Sequence, residues 1–413
     1  MWQGPHGQNE SAQRQRSELA LTAISIGPKA ISEKMRTFAS GYDVPEMRLR
    51  FVILLCFLWA PVYAQQVSGE DWLADYDYGV RMVEQVYSGF DLKVTEENRG
   101  QYEGMRDSLR TVIAKDPSAF EDAFGCYLAW FRDYHLHDVC GKQDKYMSGP
   151  VDYPSFMEYH PVDTYRQVDE HTFLIRYTSC VWSSARRRWI RKAIRTFRKS
   201  GCNNLILDLR GNRGGADGTS DPFIELLYDH EGAYNGVVIR NTQVNIGYFR
   251  KTMKKDKYWQ KHLDLCENST EEYPTLFEPY LVHYDMVSRD PVRAAIIIDN
   301  HTASAAETLV LMLKRVSNRV AVYGRDPSMG CLDFGNAGTV RLPASGYRFF
   351  MPLTRSLGLP ETGIDPTGIA PDVRIDCAYP TSLGDNVDEW VRWVAENMEK
   401  DFLTRQSAYT RSL

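Results

Sequence analysis

Residues Ala294-Ala-Ile-Ile-Ile-Asp-Asn-His-Thr-Ala-Ser-Ala-Ala-Glu307 decide how this chain is read. An apolar run makes a short buried strand and small residues turn the chain. Apolar spacing through Leu309, Leu311, Met312 and Leu313 then predicts a helix from about 304 to 317. Ser304 stands at the junction, where a helix leaves N–H groups unsatisfied and presents its positive dipole end. Such a place suits a nucleophile and the stabilisation of an oxyanion. Ser304-x-x-Glu307 is equally a capping box, in which the two side chains satisfy helix amides. Both roles can coexist.

A second apolar strand, Asn204 to Leu209, runs into the turn Arg210-Gly-Asn-Arg-Gly-Gly215. Glycines after a buried strand let backbone N–H groups approach a ligand closely. Strands are also predicted over Thr172–Tyr177 and Val320–Tyr323. A basic amphipathic helix over 184–200 carries Trp189, Ile190, Ala193 and Phe197 on one side. A helix over 221–229, a hairpin through 338–353 and a last helix over roughly 382–403 complete this region. Strands alternating with helices predict an α/β core with largely parallel strands. Ahead of it, residues 71–131 read as three helices, with Ser118 a cap after the break at Asp116-Pro117.

Taken together, the segments resemble one family. Asp208-Leu-Arg-Gly-Asn-Arg-Gly-Gly215, about 90 residues before Thr302-Ala-Ser-Ala-Ala-Glu307, is similar to the paired motifs of the carboxyl-terminal processing (tail-specific) protease and tricorn-core serine peptidases. Gly368-Ile-Ala-Pro-Asp372 matches a third motif of that family. The resemblance spans about residues 120–375. It implies a crotonase/ClpP-like α/β fold of stacked strands and helices, preceded by a small helical region. It also implies a peptide or protein substrate, Ser304 as nucleophile, and Gly214, Gly215 and Ala305 as oxyanion donors. Asp208 and Arg210 read as structural residues that fix the glycine turn.

A serine needs a base within hydrogen-bond reach. Many relatives with a PDZ domain use a lysine about 25 residues after the nucleophile, but Gly324–Asp333 contains none. Lys314 sits three helical turns beyond Ser304 and should point elsewhere. The tricorn-like branch uses a histidine from an amino-terminal helical region, and Phe131-Arg-Asp-Tyr-His-Leu-His137 resembles that segment. His135 falls on the family histidine and His137 stands beside it, while Tyr134 replaces the usual glycine. Imidazole titrates near working pH, as a general base should. The resemblance offers Asp365, with Glu361 nearby, as the third catalytic group. Only about 36 residues separate His135 from Thr172, too few for a PDZ domain. No cofactor is expected. The other reading is a binding module without activity on the same fold, as in the interphotoreceptor retinoid-binding modules. An α/β-hydrolase is disfavoured because no Gly-x-Ser-x-Gly elbow occurs.

Residues 47–64, MRLRFVILLCFLWAPVYA, have the layout of a secretory signal peptide, with Val62 and Ala64 at the small positions before a cut. The apolar run Phe51–Ala60 is too short for a membrane span, which takes about 20 residues. Residues 1–46 are polar and patternless, and Met47 reads as the true start. The helical region is then 65–150 and the catalytic domain 151–405. Removing residues 1–64 leaves 42 basic and 49 acidic side chains, a balance that favours neither nucleic acid nor an anionic membrane as partner. The run Arg186–Lys192 reads as a solvated helix face. Seven cysteines remain, without a CxxC pair that would suggest zinc. An odd number leaves at least one unpaired, and a Cys126–Cys140 bridge is one possibility. Amino-terminal sequencing of the exported product should begin at Gln65, and any residue from 1–46 in it contradicts this start site.

Overall fold

The chain is described from a computed structural model over residues 68–141, 158–252, 257–398 and 400. The expected upstream extension, the leader and the tail beyond 400 lie outside the described residues. Six strands make the central sheet: β1 (Thr164–Gln167), β2 (Thr172–Arg176), β3 (Asn204–Asp208), β4 (Arg293–Ile297), β5 (Val320–Gly324) and β6 (Val373–Arg374). They lie in the order β6-β5-β4-β3-β2-β1, with β2 to β6 parallel and β1 antiparallel to β2. Strand order follows chain order, so right-handed crossovers put the connecting helices that pack on the sheet on one face. Gln243–Thr252 and Lys257–Glu267, in the β3–β4 connection, pack instead with the amino-terminal helical region.

The alternation of side chains divides the core accordingly. Phe173, Ile175, Leu205, Leu207, Ala294, Ile296, Val320 and Val322 face the crossover helices. These include α4 (Ser184–Ser200), which is capped by Ser183 and ended by Gly201 in the left-handed conformation, and α5 (Ala305–Val316). The alternate residues Leu174, Ile206, Ala295, Ile297, Ala321 and Tyr323 pack beneath Trp390, Val391, Val394 and Met398 of the last helix, α6 (389–398). This helix starts later than its pattern predicts, because Ser382–Leu383 pair as a strand with Glu158–Tyr159.

Four buried charges lock α6 to the sheet. The Arg176 guanidinium bonds Asp208 (2.7 Å) and Asp388, and Arg210 makes paired contacts to both aspartates at 2.7 to 3.1 Å. All four side chains are removed from solvent. Burial by itself would raise the Asp208 pKa, but Arg210 and Arg176 hold it well below the usual carboxylate range. Asp208 also accepts the Arg210 N–H, which fixes the start of the glycine turn as its sequence implied.

The helical region is α1 (Gly69–Val86), α2 (Arg99–Lys115) and α3 (Phe120–Ala129), with one extra turn at Phe90–Lys93. Tyr76, Val83, Tyr87, Tyr102, Phe124, Tyr127 and Phe131 form its core, shared with Phe349 and Met351 of the hairpin. Asp116, and not Ser118, caps the 3-10 turn Pro117–Ala119 that leads into α3: its carboxylate accepts the Ser118 N–H, and α3 itself has no side-chain cap. Aspartate sits where the broken chain leaves an N–H two residues ahead, while the serine hydroxyl only donates to it. All seven described cysteines are free thiols, so Cys126 and Cys140 are not bridged.

Breaking one member of the charge network strands the others in the core. Asp388→Ala should therefore cost about 3–5 kcal/mol in urea unfolding. Asp77→Ala, which breaks a surface pair with Arg110, should cost about 1 kcal/mol or less.

Candidate active site

β4 ends at a turn that the glycine loop holds from below. Asp299, fully buried, accepts N–H groups from Gly211 and His301 and the Tyr159 hydroxyl at 2.7 Å. The Thr302 hydroxyl lies 3.0 Å from Leu209 O, and Ala303 N–H donates to Asn212 O. The chain then enters α5 through Ser304, whose φ of 56° is left-handed. Such a value is strained for a residue with a Cβ and is found where a surrounding structure enforces it.

Glu307 does much of the enforcing. Its buried carboxylate accepts Ser304 N–H (2.9 Å), Gly330 N–H (2.8 Å), Cys331 N–H (3.0 Å) and the Ser328 hydroxyl (2.6 Å). Burial pushes its pKa up, and these four donors pull it back. The capping glutamate thus also ties the Ser304 turn to loop 328–331. The tie to Ser304 was legible from Ser304-x-x-Glu307; the second tie was not.

Gly214 presses against the serine. A Cβ on it would stand 2.7 Å from Ser304 Cβ and 2.9 Å from Ala305 N, so no other residue fits. Its N–H, however, donates to Asn212 Oδ1 at 3.0 Å. Of the three expected oxyanion donors, Gly214 is therefore committed elsewhere. Gly215 and Ala305 make no N–H bond among the described residues. Asn212 was not singled out in the sequence, since an asparagine in a glycine turn is ordinary.

The histidine segment arrives from the other side. Tyr87 at the end of α1 donates to Asp133 (2.7 Å), and Asp133 accepts the His135 N–H (2.8 Å). The Tyr134 ring packs against the small apolar cluster of Ala303, Met329 and Cys331. His135 and Ser304 line one cavity of about 360 Å³. His137 does not line it: the ring lies on Phe350 at 4.8 Å, with its pKa lowered by burial and then by His135. Both imidazoles have a buried Nδ1 without a hydrogen-bond partner.

Asp365 does not reach the cavity lining either. Its two oxygens accept the N–H groups of Leu332 (2.7 Å) and Asp333 (3.0 Å). Burial, then Asp333 and Asp133, push its pKa well above the ordinary value. Glu361 is exposed. Lys314 points away as expected, pairing with Asp372 at 2.7 Å. The remaining cavity wall includes Asp217, Tyr234, Asn235, Thr308, Leu311 and Arg315. Asp217 is open to solvent within a concave wall; the surrounding protein still pushes its pKa up, against hydrogen bonds from Tyr234 and Thr308. Sequence reasoning passed over it, because one aspartate after a glycine turn carries no signal.

Residues 171–375 match the profile of Peptidase family S41. No curated protein matches the sequence. Among solved structures, mature CPAF complexed with lactacystin superposes with a TM-score of 0.56 at 11% identity, covering 82% of this chain and 98% of that one. Mature CPAF without that compound gives 0.53 at 11% identity, covering 81% and 96%. A Parabacteroides merdae protein described as a candidate peptidase gives 0.50 at 16% identity, covering 75% and 90%. At such identities the likeness speaks to the fold.

An amide in place of the Glu307 carboxylate cannot accept from four donors and turns its own N–H groups toward them. Glu307→Gln should cost about 2–4 kcal/mol in urea unfolding and speed hydrogen exchange at the Gly330 and Cys331 amides.

Proposed function

Because the chain belongs to peptidase family S41, we propose that it is an exported serine endopeptidase that works through an acyl-enzyme on Ser304 with His135 as the base. One observation carries this reading: Ser304, held left-handed at the head of α5, shares a cavity with His135.

Ser304 Oγ attacks the scissile carbonyl carbon as His135 takes its proton. The developing oxyanion is held by the N–H groups of Gly215 and Ala305, both free of other bonds among the described residues. His135 returns the proton to the leaving amine. Water, activated by the same imidazole, then hydrolyses the ester. Gly214 supplies room and not a donor. Asp133 fixes the His135 backbone, and Asp365 braces loop 332–333 beneath it. The leader-like segment 47–64 supports export, and the short span between His135 and Thr172 supports a chain without a PDZ domain.

A second reading, a ligand-holding scaffold without activity, has one observation in its favour. Among the described residues no carboxylate sits on His135 Nδ1 to orient the ring. A serine-directed fluorophosphonate separates the two, because a pure binder leaves it unreacted.

The wild-type chain should be labelled, and Ser304→Ala should lose labelling and at least about 1,000-fold in kcat/KM while unfolding at the same urea concentration. His135→Ala should slow labelling more than about 100-fold, and His137→Ala less than about 10-fold. Wild-type cleavage by Ser304→Ala contradicts the assignment.

A further inference from the structure

Asp217 is a carboxylate in the wall of the candidate catalytic cavity that the scaffold leaves without a cation. It lies two residues past Gly215, against Thr308, which is one helical turn beyond Ser304. Its described contacts are hydroxyls only, from Tyr234 at 3.1 Å and from Thr308. No Lys, Arg or His among the described residues forms an ion pair with it.

The other charged groups of the wall are committed. Asp333 accepts the Ile364 and Asp365 N–H groups. Arg355 is neutralised by Asp91 at 2.6 Å and stacks on Tyr273. Arg315 donates to Ala233 O at 3.1 Å and to Asn235 Oδ1 at 3.4 Å, on either side of Tyr234, and forms no ion pair with Asp217 among the described residues. Asp217 is therefore held by hydroxyls alone, while the Arg315 cation is bonded to neutral oxygens and not to it.

The neighbouring surface is aromatic. Tyr234 lines the cavity, and its ring stacks on the exposed Tyr280 with centroids 5.0 Å apart. Flat aromatic faces beside a carboxylate suit a long aliphatic stem that ends in a cation. Uncharged side chains of the same length would leave the carboxylate unpaired as water is displaced.

Resting on the peptidase reading above, we propose that Asp217 selects substrates with a lysine or arginine side chain next to the scissile bond, holding its cation one helical turn from Ser304. Asp217 is thus a specificity residue, with Tyr234 orienting its carboxylate.

The test uses fluorescence-quenched peptides that carry lysine or its uncharged counterpart norleucine at each position around the cut. At the position nearest the scissile bond, wild-type kcat/KM should favour lysine by at least about 10-fold. In Asp217→Asn that ratio should fall to within about 2-fold of one. A wild-type ratio near one, or a preference that survives in Asp217→Asn, overturns the proposal. If wild type cleaves no peptide, the peptidase reading fails separately. Binding to Ser304→Ala, by fluorescence anisotropy, then decides this one: lysine peptides should bind at least about 10-fold tighter than norleucine peptides, and equal affinity overturns it.

Discussion

Two arginines and two aspartates in a solvent-free layer hold this structure at its centre. Arg176 lies on β2, Asp208 ends β3, Arg210 opens the glycine turn and Asp388 caps α6. Their charges cancel only as a set. Burying any one alone would cost several kcal/mol, so the set forms once and together or not at all. Its geometry fixes where β3 stops, and that places Gly214 against Ser304. The covering of the open sheet face and the position of the Ser304 turn are thus one event. A sheet wound in a single direction needs such an arrangement, because its crossover helices protect only one face.

The second constraint is the strained serine. A left-handed Ser304 persists because every neighbour of the turn is spoken for: Asp299 below it, Asn212 beside it, Glu307 ahead of it. Glu307 joins a local cap to a distant loop, so the strain at Ser304 and the path of residues 328–331 stabilise each other. Tyr134 closes the remaining side. The bulky ring that departs from the family's glycine packs on the apolar cluster of Ala303, Met329 and Cys331. In three dimensions that departure is a packing contact.

Several local choices share a cause. Aspartate and serine are both good caps, and at 116–118 only backbone geometry chooses Asp116. Gly214 and Gly215 look alike in sequence, but Asn212 consumes the N–H of the first. Asp365 has the right place along the chain for a catalytic carboxylate, yet both its oxygens are taken by amides 32 and 33 residues away. A bridge between Cys126 and Cys140 was open on spacing alone, whereas both thiols are free. In each case a side chain had several partners within chemical reach, and the choice belonged to long-range contacts.

What the chain determines by itself is therefore periodic or local. Buried strands at 204–208 and 293–297, the basic helix over 184–200, the three amino-terminal helices and the hairpin are written in spacings of two and 3.6 residues. The serine–glutamate pair at a helix start is a three-residue matter. The tertiary structure decided which imidazole faces the cavity, which glycine amide stays free, and that Asp217 stands uncompensated beside Ser304. Those facts depend on residues some 90 to 170 positions apart meeting within a few ångströms. No local pattern records such meetings, because chain entropy leaves them open until the whole core closes.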